Sequence, residues 1–165
     1  MRYRVVFVAG MTAVLALAGC GSSDSDDHAA HNGSTTGFSF GQPGDPAKAA
    51  RTVEVKMGDD LRYEPATIDV KRGETVTFKV TNTGAQIHEF ILGDEKFQEE
   101  HDKEMMEMGG GAPMRMPDEP EGINIDPGQT EQLTWTFPDK PETILYGCHE
   151  PGHYAGGMKG EIKVS

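Results

Sequence analysis

Three potential metal-binding side chains of different kinds lie on one short loop near the C-terminus. In Tyr146-Gly-Cys-His-Glu-Pro-Gly-His-Tyr-Ala-Gly-Gly-Met158, four residues separate Cys148 from His153, and four more separate His153 from Met158. A thiolate, an imidazole and a thioether form a soft donor set. A thioether is a poor zinc ligand and a good copper ligand, so the set points to copper. One further imidazole would complete a trigonal His2Cys site with a weak axial Met. His88 offers it, in the apolar run Ile87-His-Glu-Phe-Ile-Leu92 far upstream. A fold that uses all four must bring a distant strand beside the C-terminal loop.

The intervening sequence supplies strands. Thr52-Val-Glu-Val-Lys-Met57 alternates with period two, with Val53, Val55 and Met57 opposite Glu54 and Lys56. Ala66–Val70 and Thr75–Thr81 are two more strands, joined by the turn Lys71-Arg-Gly-Glu74. Asn82-Thr-Gly84 turns again before a fourth strand over Ile87–Leu92. Ile123–Ile125, Gln132–Phe137, Thr143–Tyr146 and Gly160–Val164 complete the series, with Leu133, Trp135 and Phe137 sharing one face. Short strands between Gly/Pro turns predict an all-β, antiparallel sandwich.

An insertion over 93–122 interrupts the pattern. Its first half, Asp94–Met108, predicts a helix with Asp94 as N-cap and Phe97, His101, Met105 and Met108 on one face. Gly109-Gly-Gly111 ends it, and Pro113, Pro117 and Pro120 keep the second half irregular. The thioethers of Met105, Met106, Met108, Met114 and Met116, with His101, are candidates for a second, labile Cu(I) site. The alternative is that Met fills gaps where the helix packs on the sandwich. Met114 and Met116, in the irregular stretch, have the weaker packing rationale.

The N-terminus carries a processing signal. Arg2 and Arg4 precede an apolar stretch, Val5–Ala18, too short to span a bilayer, and Leu17-Ala-Gly-Cys20 follows. This run resembles the lipobox of bacterial lipoproteins, which implies cleavage before Cys20 and lipidation of its thiol. Residues 1–19 are thus expected to be a signal peptide and 20–50 a lipidated, disordered tether, with the folded domain over 51–165. Within the tether, His28 and His31 read first as polar linker and second as a loose metal trap. Cys148 is left as a single exported thiol, which metal ligation explains and no disulfide is expected to use. The sequence implies an exported, lipid-anchored protein, with membrane contact by the anchor only.

Removing Arg2 and Arg4 takes the net charge from −12 to −14. That excess argues against nucleic acid and fits a basic docking surface on a redox or copper-handling partner. A monomer is expected. No Ser/His/Asp or paired-carboxylate arrangement points to an enzyme.

The order His88…Cys148-x4-His153-x4-Met158, with the strand-turn-strand run Val70–Thr83, resembles the single-domain cupredoxins over about residues 51–165. The Cys-to-Met loop is similar in length to that of rusticyanin-type members. The resemblance implies a Greek-key sandwich and a single copper, with His88, Cys148 and His153 equatorial and Met158 axial. It implies electron transfer, or copper tolerance, buffering or delivery through the same site. Many cupredoxins follow the first His with Asn or Ser, which bridges to the Cys loop; here that position is Glu89. The acidic, Met-rich insertion looks more like copper-tolerance cupredoxins of the bacterial envelope than like plastocyanin or azurin. His149 is the competing imidazole, but it directly follows Cys148 and in extended chain faces the other way.

Overall fold

The alternation seen in the sequence places three inward rows on one sheet. Val55 and Met57, then Val76, Phe78 and Val80, then Leu133, Trp135 and Phe137 are all buried. The computed structural model describes residues 37–109 and 119–165. Its strands are β1 (Gln42–Pro43), β2 (Arg51–Gly58), β3 (Arg62–Glu64), β4 (Thr67–Val70), β5 (Thr75–Asn82), β6 (His88–Gly93), β7 (Gly122–Ile125), β8 (Thr130–Thr136), β9 (Glu142–Gly147) and β10 (Lys159–Val164). One helix, α1 (Glu95–Gly109), follows β6. The strands form two five-stranded sheets, ordered β1-β8-β5-β2-β3 and β4-β10-β9-β6-β7. The expected sandwich and its helix-containing insertion are both present.

Two pairings differ from an all-antiparallel arrangement: β2 runs parallel to β5, and β4 parallel to β10. The chain leaves the first sheet after β3, adds β4 to the second, and returns as β5 beside β2. A strand that returns after such a crossover lies parallel to its neighbour.

The folded domain also begins before Arg51. Phe40 is 2% exposed, and its ring stacks on Trp135 at 5.7 Å. The Trp135 indole N–H donates to the Phe40 carbonyl at 3.0 Å. Phe38 stacks on Phe40 at 4.9 Å, and β1 pairs with β8. The expected disordered tether is therefore corrected from Gly37 onward: two aromatic rings in a polar stretch find a sheet edge to cover. Burying Phe40 contributes on the order of 1.5–3 kcal/mol. Cys20, His28 and His31, with Met114 and Met116, lie outside the described residues.

Every residue of β6 is buried. One face joins the core through Phe90 and Leu92. The other is covered by α1, whose Gln98 amide donates to the Ile91 carbonyl at 2.8 Å. Asp94 caps the helix as expected, its Oδ1 accepting from Phe97 N–H at 2.9 Å. The apolar face of α1 stops earlier than predicted: Met105 is buried, but Met108 is 55% exposed. Helix α1 meets the sandwich through Phe97, Gln98, His101 and Asp102, with Met105 buried beyond them.

Candidate metal centre

His88 opens β6, and the turn before it is held from below. The buried Asn82 side chain donates to the carbonyls of Gln86 at 2.7 Å and Ile125 at 2.9 Å, and accepts from Gly84 N–H at 2.9 Å. One side chain thus ties the end of β5, the turn and β7 together, and fixes where His88 enters the sheet.

Cys148 follows β9, and the loop to β10 closes on itself. Met158 N–H donates to the His153 carbonyl at 3.0 Å, and Cys148 N–H donates to the Met158 carbonyl at 3.2 Å. His153 N–H donates to Glu150 O at 2.9 Å. Gly152 (φ 84°) and Gly157 (φ 95°) take the left-handed conformation that these reversals need.

The result is a cluster at one end of the sandwich. His88 Nδ1 lies 3.8 Å and His153 Nδ1 lies 3.4 Å from Cys148 Sγ. Donor atoms of these three residues all lie within 4.8 Å of one another, and no other such trio of His, Cys, Asp or Glu occurs among the described residues. A metal with bonds of about 2.0–2.3 Å in a trigonal to tetrahedral arrangement separates sulfur from nitrogen by about 3.5–3.8 Å. Both sulfur–nitrogen separations lie close to this range, so the three side chains converge on one ion-sized site. Met158 is fully buried on the same loop, hydrogen-bonded through its backbone to both Cys148 and His153.

The electrostatics favour metal over proton at the imidazoles. Burial lowers the pKa of both His88 and His153, and each ring's neutral form is the ligand. Burial pushes the Cys148 thiol up to about 12. Such a thiol is inert on its own, and a metal ion binding the sulfur would displace its proton to solvent. Glu89 N–H, directed at Sγ from 3.4 Å, supports the sulfur from the strand side.

Glu89 points inward. Its side chain is fully buried, and Oε2 accepts from His149 N–H at 2.9 Å. It therefore makes the bridge from the His88 strand to the Cys148 loop, here with a carboxylate. Burial, with Glu150 and Glu119 nearby, raises its pKa to about 7. Tyr63 on β3 holds the same residue through a hydrogen bond to its carbonyl.

His149 faces away from the cluster, as the alternation required. Its Nε2–H donates to Gln98 Oε1 at 2.6 Å, and its ring stacks on Tyr154 at 4.6 Å. Burial drives its pKa down to about 4. His101, one of the candidate Cu(I) ligands, packs edge-on against His149 at 4.8 Å and stacks on Phe97 at 5.9 Å. Met105 is buried, while Met106 and Met108 are 66% and 55% exposed. His101 and Met105 are thus packed between the helix and the sandwich. Two residues of this region escaped the sequence reading. These are Gln98, whose Oε1 meets His149 Nε2, and Asp59, whose Oδ1 lies 3.3 Å from His88 Nε2; neither carries a local sequence signal.

Known proteins share both sequence and shape with this chain. The profile of copper-binding proteins of the plastocyanin/azurin family matches residues 49–165. A copper-resistant cuproprotein CopI of Rubrivivax gelatinosus is 36% identical over 164 residues, covering 99% of this chain and 96% of the relative. Its counterpart in Pseudomonas aeruginosa is 37% identical over 153 residues, covering 78% and 83%. The dithionite-reduced auracyanin of Roseiflexus castenholzii superposes with a TM-score of 0.60 at 32% identity, over 71% of this chain and 98% of that one. With the His-Cys-His cluster at the end of a two-sheet sandwich, these likenesses identify the chain as a copper-binding cupredoxin of the plastocyanin/azurin family.

Proposed function

We propose that His88, Cys148 and His153 would hold one copper with Met158 as a further, weaker ligand, and that the protein works as a one-electron carrier. The observation that carries this reading is the approach of both Nδ1 atoms, at 3.8 and 3.4 Å, to the Cys148 sulfur. Copper bound there supplies a one-electron couple. The chain supplies a site that changes little between oxidation states. His88 is fixed by strand β6 and the Asn82 clamp, and Cys148 by β9 and the Glu89 N–H. The loop hydrogen bonds seat His153 and Met158. Ligands set by packed strands and a closed loop need little rearrangement when the charge changes. The reading assigns the site to carrying electrons or copper, with no catalytic step.

Met158→Leu tests the part given to Met158. The variant is expected to keep one copper and its intense visible band while the reduction potential rises. A tenfold shift of preference toward Cu(I) equals about 59 mV for a one-electron couple. Loss of copper from this variant would make Met158 a primary ligand.

The second reading, copper tolerance through the same site, is favoured by the CopI relatives, which are named for copper resistance. Under either reading we place the protein in the cell envelope, exported and tethered through lipidated Cys20, with a basic surface on its partner protein. Mass spectrometry of the mature chain is expected to show an acylated N-terminal Cys20. A mature chain cut elsewhere and free of lipid would remove the anchor.

A further inference from the structure

The His88 ring has two nitrogen edges, and the structure gives each a different neighbour. Nδ1 is directed at Cys148 Sγ, at 3.8 Å. Nε2 is directed outward, at Asp59 Oδ1, 3.3 Å away. The ring is fully buried, whereas the Asp59 side chain is 38% exposed, so the carboxylate forms the wall between this imidazole and solvent.

Asp59 is itself held in place. Oδ2 accepts from Ala85 N–H at 2.8 Å, and Oδ1 accepts from Gln86 N–H at 3.2 Å. These donors belong to the turn that leads into His88. The turn also leaves room for the carboxylate at a glycine. A Cβ on Gly84 would sit 2.2 Å from Asp59 Oδ1, closer than any side chain tolerates. Three features therefore converge on one carboxylate: two backbone donors, a side chain missing where it would collide, and the free edge of an imidazole whose other nitrogen faces the metal-binding sulfur.

We propose that Asp59 is a positioning residue of the copper centre, accepting a hydrogen bond from His88 Nε2–H and biasing the site toward Cu(II). The hydrogen bond fixes the tautomer, with the proton on Nε2 and the lone pair on Nδ1, and stops the ring from turning. A carboxylate behind a metal-bound imidazole also makes the ring a stronger donor. Its negative charge favours the more highly charged oxidation state, because Cu(II) gains more from a nearby anion than Cu(I) does. Asp59 thus lowers the reduction potential relative to a site in which Nε2–H meets a neutral acceptor. This role rests on the copper assignment made above.

The test is the reduction potential of the full-length, copper-loaded protein, with Asp59→Asn, Gly84→Ala and Asp60→Asn beside it. Asp59→Asn keeps an acceptor oxygen and removes the charge. It is expected to shift the Cu(I)-over-Cu(II) preference about tenfold, a rise of about 59 mV. The Cys148-to-copper absorption band should persist at a shifted wavelength. Gly84→Ala leaves Asp59 in the sequence but displaces its carboxylate, so the potential should rise in the same direction. Asp60 also carries a charge that reaches His88, without a hydrogen bond to it. Asp60→Asn should therefore move the potential less than half as far in millivolts. Should Asp59→Asn fail to fold, Gly84→Ala decides in its place. A preference changed less than twofold in the deciding variant overturns the proposal, as does an equal shift in Asp60→Asn. An unaltered protein that shows no intense visible band with Cu(II) would instead overturn the copper ligation itself.

Discussion

Cys148→Ser is expected to abolish the intense visible absorption of the Cu(II)-loaded protein and to weaken Cu(II) binding by more than about a hundredfold. Removing residues that merely support a metal ligand costs about 10–100-fold in affinity, and a thiolate ligand contributes more directly than they do. The hydroxyl that replaces it does not ionise in a buried site, so neither the charge nor the sulfur-to-copper transition survives. The metal-free fold should tolerate the change. Without metal the thiol is neutral, its pKa raised by burial to about 12, and a hydroxyl still accepts from Glu89 N–H. Visible spectra with Cu(II), alongside thermal unfolding of both metal-free proteins, check this. A strong band in the variant would mean that another residue supplies the chromophore. Growth of cells carrying the same variant in high copper bears on the two functional readings. Lost tolerance places the site in copper handling, and unchanged growth leaves electron transfer ahead.

The candidate site was legible because its chemistry is local. Cys148, His153 and Met158 announce themselves by type and spacing on one loop, and only His88 had to be found at a distance. The core strands were legible for a similar reason. Val76, Phe78 and Val80 alternate with Thr75, Thr77 and Lys79, and a period of two admits one face per strand. The parallel pairings were not legible, since side-chain alternation is the same whichever way the neighbour runs. Nor were Phe38 and Phe40, set among Gly, Ser and Thr with no period around them. Their burial depends on Trp135, far along the chain, and nothing local records that contact.

The orientation of Glu89 was undecidable for a different reason. Alternation along β6 sends Glu89 to the face opposite His88, and in a bare sandwich that face meets water. Helix α1 covers that face at Ile91 and the His149 backbone meets Glu89 itself, so a residue that reads as surface becomes core. Asp59 and Gln98 share the difficulty. Each is an ordinary polar residue that meets an imidazole from elsewhere in the chain, His88 for the one and His149 for the other.

That buried carboxylate has the second large expected effect. Glu89→Gln should stabilise the metal-free protein by about 3 kcal/mol at pH 8 and leave it nearly unchanged at pH 4. Burial raises the Glu89 pKa from 4.5 to about 7, so the folded state holds a proton that the unfolded state has already released. Stability of the unaltered protein therefore falls as pH rises between about 4.5 and about 7, and above that window the whole penalty is present. Below it both states are protonated and the penalty vanishes. The amide that replaces the carboxylate cannot ionise, and its oxygen can still accept from His149 N–H. Urea unfolding with a chelator present, at pH 4 and pH 8, gives the two differences. Equal differences at both pH values would show that Glu89 does not titrate in this window. Cu(II) affinity should move the other way. A divalent ion with one thiolate retains a positive charge, and Glu89 supplies a counter-charge from inside the protein. The variant should therefore fold more stably without metal and bind Cu(II) more weakly, by about 10–100-fold. A carboxylate kept at this position at the expense of the empty protein's stability is then explained by the ion it neutralises. A variant that gained stability with no loss of Cu(II) affinity would break that connection.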